Sequence, residues 1–349
     1  MMRENTHMEH FEDLLFESWG FELLEKFKSN DVEYTRKWDG APSIFFGKDE
    51  GGYWIARKGI FNKIPLKYYK RSDFDDDPKF PEDLKTAMWN TLVYLQNAYI
   101  GPSNIMVQGD LMFYGSNDTW SASETIGGPV RVFHPNTIRY ETTVIPRAAI
   151  VGVVWHTMYT ADEVIYGAKV KEMFRITDEL WMINAHDEVS EPKDIDLPLR
   201  IVKSVVGRYS DLSDETKSLY KMWRNAQIKG TITKDDNITD FMFDRMLKEV
   251  NSVKDADKKA EKIEKYRSIT NELTNVITRL NNDYELMIDA KEMLLMELNR
   301  QPTSFKTSVV CAGGIYRPVD HEGYAMYTEG YAAKLVNREE FSKNNFSND

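Results

Sequence analysis

The chain carries a single cysteine, Cys311, among its 349 residues, which excludes an internal disulfide and a thiolate metal centre. Histidine is scarce too. The six are scattered, and only His7 and His10 stand at a metal-ligand spacing, so a zinc site is not expected. No apolar run approaches the ~20 residues of a membrane span. The longest covers residues 148–155, and the opening stretch MMRENTHMEHFEDLL is polar and acidic. A cytoplasmic protein with no membrane partner is therefore expected. A positive surplus is also lacking. Lys plus Arg number 45 against 56 Asp plus Glu, a net charge of −11, which argues against a surface that coats duplex nucleic acid and leaves room only for a local basic groove. There is no internal repeat and no long low-complexity linker.

What is present is an ordinary globular composition, 42% hydrophobic and 29% charged, in a chain longer than the ~250–300 residues at which one core stops growing. Two or three lobes are expected. Residues 8–28 place Phe11, Leu14, Leu15, Trp19, Leu23, Leu24 and Phe27 at a helical period. Short runs bounded by Gly, Pro and Asp follow at 32–36, 43–47, 53–58, 105–113, 130–134 and 150–158 and read as strands. A helix over 82–99 interrupts them, starting after Pro81. From about 160 to 300 strand-like runs nearly vanish, and Ile269, Leu273, Val276, Leu280, Tyr284 and Met287 recur at steps of three and four as in a packed helix seam. The charged stretch KDADKKAEKIEKYR before it reads as a solvated helix face, the alternative being a nucleic-acid contact. Strand-like runs return at 308–311, 323–327 and 331–336. The simplest organisation is one α+β domain built from residues 1–165 and 303–349, with a helical insertion over 166–302.

Chemistry concentrates at Lys37-Trp38-Asp39-Gly40-Ala41-Pro42, directly after a predicted strand. A lysine at a strand end, followed by a tight turn, can present its amine in a pocket where partial desolvation makes it nucleophilic. The four residues alone read equally as a surface turn. The spacing resembles the Lys-x-Asp-Gly motif of covalent nucleotidyltransferases, the superfamily of ATP-dependent DNA and RNA ligases and capping enzymes. Further phrases keep the family's order. Ala56-Arg57-Lys58-Gly59 is similar to an element whose cations contact phosphate, which implies that role for Arg57 and Lys58. Asp110 in VQGDL stands where the family has a glutamate that holds the ribose. VGVVWH, residues 151–156, resembles a strand ending in a base-stacking aromatic, which implies that Trp155 stacks on adenine; a core tryptophan is the other reading, and His156 is given no direct catalytic role. Glu322 in EGYAM resembles the carboxylate at the metal-bound nucleotide, with Asp110 as a second metal-side oxygen donor. Lys334 in YAAKLV resembles the lysine on the α-phosphate, with Arg338 nearby, although Ala332 replaces the lysine the family often carries two residues earlier.

A closer resemblance runs through KWDGAPSIFFG, RKGIFNK, VQGDLMF, FHPNTIRY, VVWHTMYT and KLVNREEF to a ligase-like family of tailed-bacteriophage proteins. It implies an adenylation domain of mixed and antiparallel sheets, ATP-grasp-like, with a large helical insertion and no OB-fold, since only about a dozen residues follow Val336. It implies an ATP-dependent ligase, RNA favoured over DNA, that uses Mg²⁺ or Mn²⁺ and joins 5′-phosphate to 3′-hydroxyl ends through lysyl-AMP on Lys37, with Asp39 and Lys334 in the catalytic set. RNA repair in a host cytoplasm would be its setting. The helical insertion would grip nucleic acid or a protein partner. The basic stretch KGIFNKIPLKYYKR, residues 58–71, interleaves cations with aromatics as single-strand binders do, or is a solvated loop. His134 and Asn136 are candidates for lining the site. The competing reading, supported by Ala332 and Asp110, is a nucleotidyltransferase fold without turnover that serves as a binding module.

Overall fold

The computed structural model describes residues 8–29, 31–115, 119–122, 129–187, 189–328 and 330–339. In chain order the elements are β1 (Glu9–His10), a 3-10 turn (Phe11–Phe16), α1 (Gly20–Lys28), β2 (Glu33–Lys37), β3 (Ser43–Asp49), β4 (Gly52–Ala56), α2 (Arg71–Asp75) and α3 (Glu82–Ala98). Then come β5 (Met106–Tyr114), β6 (Thr119–Ala122), β7 (Pro129–Phe133), β8 (Arg139–Thr142), β9 (Val151–Tyr159), β10 (Val164–Tyr166) and β11 (Leu180–Asn184). Five helices follow: α4 (Asp196–Val205), α5 (Asp214–Ile228), α6 (Ile238–Asn251), α7 (Ala256–Thr274) and α8 (Ile277–Asn299). The chain closes through β12 (Phe305–Val310), β13 (Tyr316–Pro318), β14 (Gly323–Thr328) and β15 (Tyr331–Val336). This is a mixed α+β protein with several antiparallel sheets. Among the described residues no helix is long and apolar enough to cross a membrane.

Packing divides the chain into two units, residues 1–8, 32–191 and 298–334, and residues 9–31, 192–297 and 335–349. The division departs from the expected one in two places. First, β11 pairs in parallel with β9, from Leu180 opposite Val151 to Asn184 opposite Trp155, which carries the sheet-bearing unit on to residue 191. Second, the opening segment clusters with the helices. Its 3-10 turn and α1 bury Phe11, Leu14, Leu15, Phe16, Leu23, Leu24 and Phe27, and Gly207 and Tyr209 donate backbone hydrogen bonds to the Leu14 and Leu15 carbonyls at 3.1 and 3.0 Å. An amphipathic stripe of that period needs helical partners, and residues 192–297 supply them. The expected single opening helix is two pieces. A Cβ at Gly20 would meet Val206 Cγ2 at 2.4 Å, so the chain passes there only as glycine.

In the sheet-bearing unit three sheets form. β15, β14 and β2 neighbour in that order; a second runs β10-β9-β5-β3-β4 with β11 beside β9; a third runs β13-β12-β8-β7-β6. Short strands β6, β8, β10, β11 and β13 were not expected from the sequence, because runs of three to five residues carry too little periodicity. One face of the second sheet is core: Ile44, Phe46, Ile55, Val107, Leu111, Val151, Val153 and Trp155 pack with Ala87, Met88, Leu92 and Leu95 of α3. Strand alternation sends Ser43, Phe45, Gln108 and Asp110 to the opposite face, where the candidate site lies. In the helical unit the expected seam is shared by α7 and α8, which break at Asn275 and Val276; Ile269, Leu273, Leu280, Tyr284 and Met287 are buried as expected.

The helical unit also buries a charge cluster. Glu12, 1% exposed, accepts from Lys291 Nζ at 2.9 Å and Arg338 Nη1 at 3.1 Å. Arg338 is thereby committed to Glu12 and to Tyr284, and does not join Lys334 as expected. Glu12→Gln leaves two buried cations facing one neutral amide, which should cost about 3 kcal/mol. A urea midpoint equal to that of wild type at an unchanged slope would show the cluster to be energetically idle.

Candidate functional site

Lys37 ends β2, and its antiparallel register sets it opposite Gly323, the first residue of β14. That register brings the Lys37 ammonium onto Glu322 Oε1, the residue just before β14. The Glu322 side chain is 9% exposed, and burial raises its pKa above the usual carboxylate value, against the pull of Lys37. The turn after Lys37 is fixed on three sides. Trp38 is buried, stacked on Tyr140 at 5.3 Å and edge-on to Phe305 at 4.8 Å. Asp39, also buried, accepts from Asn136 Nδ2 and from the backbone N–H groups of Thr137 and Ile138, each at 2.7 Å. Its own N–H donates to the Tyr140 hydroxyl at 2.9 Å. At Gly40 a Cβ would stand 2.5 Å from Asp110 Cβ and 3.2 Å from the Leu111 carbonyl, so only glycine lets the turn lie against β5. Asp39 thus holds the lysine turn through its hydrogen bonds and does not itself line the cavity.

The cavity in front of Lys37 measures about 270 Å³. Its polar wall comes from Lys37, Lys58, Lys334, Asp110, His156 and Gln108. Tyr159 Oη donates to Gln108 Oε1 at 2.6 Å, and Gln108 Nε2 donates to Ser43 Oγ at 3.1 Å, which fixes the floor between β3, β5 and β9. Burial pushes Asp110 up to about 7, with Lys37 as the largest opposing influence. Burial, reinforced by Lys37, pushes His156 down to about 4, so its imidazole is neutral at neutral pH.

Two expected site residues lie elsewhere. Trp155 is fully buried, stacked on Phe174 at 5.3 Å and 10°, in the core on the far face of the sheet. It cannot stack on a ligand. The cause is a β-bulge: Gln108 pairs with Thr157 and Gly109 with Trp155, so His156 is the extra residue. The bulge sends Trp155 into the core and His156 into the cavity. Glycine is required opposite it, since a Cβ at Gly109 would come within 2.5 Å of the Val154 carbonyl and 2.7 Å of Trp155 Cε3. Arg57 is exposed, with its guanidinium over the Phe80 ring at 5.3 Å, and does not line the cavity; its neighbour Lys58 does.

The aromatics of residues 58–71 turn inward instead of forming a platform. Tyr68 is buried against Phe74 at 4.7 Å, and Tyr69 Oη donates to Asp49 Oδ2 at 3.0 Å. Asn136 serves Asp39, and His134 is exposed against the Thr137 carbonyl at 3.0 Å, so neither lines the cavity. Sequence reasoning missed His156, Gln108, Tyr159, Tyr166 and Tyr327 as cavity residues. Alternation along β5 was a signal for Gln108, two residues before Asp110. Nothing in the sequence signalled the bulge.

Among the described residues no group of three or more His, Cys, Asp or Glu side chains is arranged to hold a metal. The site is thus a lysine-bearing cavity between antiparallel strands of an α+β protein. The chain belongs to a family of unknown function, DUF6267, whose model matches residues 5–349. No curated protein and no solved structure matches it.

The raised Asp110 value links stability to pH. An unfolded aspartate titrates near ~3.9. With the folded value at about 7, the contribution of Asp110 is full below ~pH 4 and is lost as pH rises through 7. Asp110→Asn escapes that loss. The stability of the variant relative to wild type should rise between pH 4 and pH 7.5, read from urea midpoints. Asp13, pushed to about 7 by burial and by Glu12, titrates in both proteins and drops out of the difference. A constant gap across that range would contradict the assignment.

Proposed function

We propose that the chain is an ATP-dependent, ligase-like nucleotidyltransferase that forms lysyl-AMP on Lys37 and joins 5′-phosphate to 3′-hydroxyl ends of a polynucleotide, RNA by preference. The observation that carries this reading is the Lys37 ammonium, held by Glu322 at the wall of a cavity that Lys58 and Lys334 also line. The reading of the fold as an adenylation domain is supported by the neighbouring of three strands, β2 with Lys37, β14 preceded by Glu322 and β15 with Lys334. At about 270 Å³ the cavity sits near the lower end of the ~300–1,000 Å³ usual for small-molecule sites.

The Lys37 ammonium must lose a proton before it can attack, and the raised Glu322 carboxylate in contact with it is the acceptor the geometry offers. The freed amine attacks the α-phosphorus of ATP. A nitrogen–phosphorus bond forms, the bond to pyrophosphate breaks, and pyrophosphate leaves with its electron pair. A 5′-phosphate oxygen of the polynucleotide then displaces Lys37 from the adenylyl phosphorus, and a 3′-hydroxyl oxygen displaces AMP, giving up its proton. Through all three steps Lys58 and Lys334 offset charge on the phosphoryl oxygens. Mg²⁺ or Mn²⁺, when bound, would add Lewis acidity on those oxygens. Glu322 suits that ion as a hard oxygen donor, and a Mg²⁺ site commonly takes only one or two carboxylates, with substrate phosphates completing it.

The helical unit is the proposed grip for nucleic acid or a protein partner. Along α7 the charges pair locally, Arg267 with Glu264 at 2.7 Å and Lys262 with Glu249 of α6 at 3.0 Å, which fits a solvated face and leaves the grip to other surfaces of the unit. The reading as a binding module without turnover keeps its two supports, Ala332 in place of a second lysine on β15 and Asp110 in place of the longer glutamate.

Incubation with α-labelled ATP and Mg²⁺, then denaturing electrophoresis, should give a protein-AMP adduct that is acid-labile and alkali-stable, as a lysine phosphoramidate is. Lys37→Ala should abolish it at a stability cost of up to about 3 kcal/mol, since Glu322 loses its cation, and Lys37→Arg, which keeps a cation beside Glu322, should abolish it with a near-wild-type urea midpoint. A wild-type protein that stays unlabelled with ATP and GTP alike would favour the binding module.

A further inference from the structure

The sheet face that carries the candidate site also carries a second cavity, of about 250 Å³, and Tyr159 lines both. Along β5 the alternation that points Gln108 into the first cavity points Met106 into the second, two residues or about 7 Å further on. The floor of the second cavity is apolar. Met106, Tyr159 and Trp54 belong to one buried cluster there, and Ile105 and Val164 add to the lining.

An ion pair stands in the wall. Lys67 Nζ donates to Asp49 Oδ2 at 2.5 Å and lies 4.6 Å above the Trp54 ring centre. Asp49 also accepts from Tyr69 Oη at 3.0 Å and from the Gly51 N–H at 2.9 Å. These contacts hold both charges in place before a ligand arrives. What the pair admits follows from its signs: a lone phosphate meets Asp49 and a lone cation meets Lys67. A neutral group with a donor and an acceptor on one edge answers both. A side-chain amide has that edge but no ring to cover the apolar floor. A nucleobase has the edge and the ring.

The loop joining the two cavities favours a polyanion. Lys58 lines the first cavity and Lys67 the second, and between them Lys63, Ile64 and Leu66 are exposed. Cations beside exposed apolar side chains suit a nucleic-acid strand, whose phosphates and bases take one each. Position decides which end of the strand. Under the proposed reaction the first cavity takes the 5′-phosphate that displaces Lys37, and the nucleoside bearing that phosphate is one step away, where the second cavity lies. A 3′-hydroxyl end carries no terminal phosphate for the lysine wall.

We propose that the second cavity receives the first nucleobase of a 5′-phosphorylated end, with Asp49 and Lys67 bonding its edge, while the phosphate of that nucleotide enters the first cavity. A base bonded in this way is unpaired, so the end is single-stranded. The proposal rests on the nucleotidyltransferase reading of the Lys37 cavity and adds to it a site for the end to be joined.

The test is fluorescence anisotropy of the full chain with 3′-fluorescein RNA tetranucleotides: one with a 5′-phosphate, one with a 5′-hydroxyl, and one with a 5′-phosphate on an abasic first residue. Labelling of Lys37 by ATP, which draws on the first cavity alone, is measured beside it. Wild type should bind the phosphorylated RNA about 10-fold more tightly than the abasic one, the loss expected when hydrogen bonds to a charged pair are removed. Lys67→Met, which keeps the stem over Trp54 and removes the donor, should bring that ratio down several-fold, and so should Asp49→Ala. Both should keep the preference for 5′-phosphate over 5′-hydroxyl, which a general loss of structure would not. Where one variant does not fold, the other decides. A wild-type ratio of one, or a ratio unchanged in the variants, overturns the base site; a duplex with the same 5′-phosphate binding as tightly as the single strand overturns it too. A protein that labels Lys37 without sensing the abasic residue loses the second site alone. One that senses it without labelling keeps that site and loses the covalent reading, and failure to bind any RNA or ATP rejects both.

Discussion

The cavity depends on one contact between residues 285 positions apart in the chain, Lys37 and Glu322. Neither group would be stable there alone. A carboxylate buried as Glu322 is loses hydration and needs a cation, and a lysine that is two-thirds covered needs an acceptor. The antiparallel register of β2 and β14 meets both needs at once, since a shift of one residue would turn Lys37 to the other face of the sheet. The pair is also poised chemically. The burial that weakens Glu322 as an acid makes it a better proton acceptor for the amine beside it, so the interaction that closes the sheet is the one that, under the proposed reaction, would arm Lys37.

Around that contact, two backbone devices shape the cavity. At the lysine turn, Asp39 gathers three donors from residues 136–138, and Gly40 allows the turn to lie on β5 with no side chain between. At β9 the bulge breaks strict alternation, so consecutive residues His156 and Thr157 both serve the cavity side while Trp155 serves the core. Each device depends on a glycine opposite a crowded strand. The costs are local, and the α3-covered face of the sheet carries the apolar burial that offsets them.

How much of this the sequence discloses differs by scale. The strand before Lys37, the helix after Pro81 and the strands at 323–327 and 331–336 were readable, because runs of helical or strand period bounded by turn residues are local signals, whereas the cavity positions of Lys37, Lys58, Asp110 and Lys334 came from the resemblance of their motifs. The contact of Glu322 with Lys37 was not readable, since pairing register between distant strands leaves no local trace. Trp155 failed for a related reason. A strand ending in Trp-His gives two aromatic candidates one residue apart, and which of them faces the ligand depends on a bulge that only the partner strand defines. The inward turn of Tyr68 and Tyr69 was hidden likewise: cations interleaved with aromatics look the same whether the rings pack on Phe74 or face solvent. The unit boundary moved because β11 is five residues long and the opening stripe is indifferent to which helices cover it.

Charge closes the argument about what the cavity can hold. The chain as a whole is acidic by eleven charges, yet the cavity lining and the Glu322 that contacts it set three lysines and Arg36 against two carboxylates, a formal +2 when both carboxylates are ionised. At physiological salt, fields from the acidic surface decay over ~8 Å, so an anion inside the cavity answers to its immediate wall. Both carboxylates have raised values, and each proton they hold makes that wall more positive. Near neutral pH Asp110, pushed up to about 7, makes the wall adjustable: it can meet the charge of a phosphate by keeping its proton and can meet a cation by releasing it. Under the proposed reaction the cavity would meet a polyphosphate, then pyrophosphate, then a phosphorylated end, and Asp110, pushed up to about 7, would let the wall follow that sequence of charges without a backbone movement.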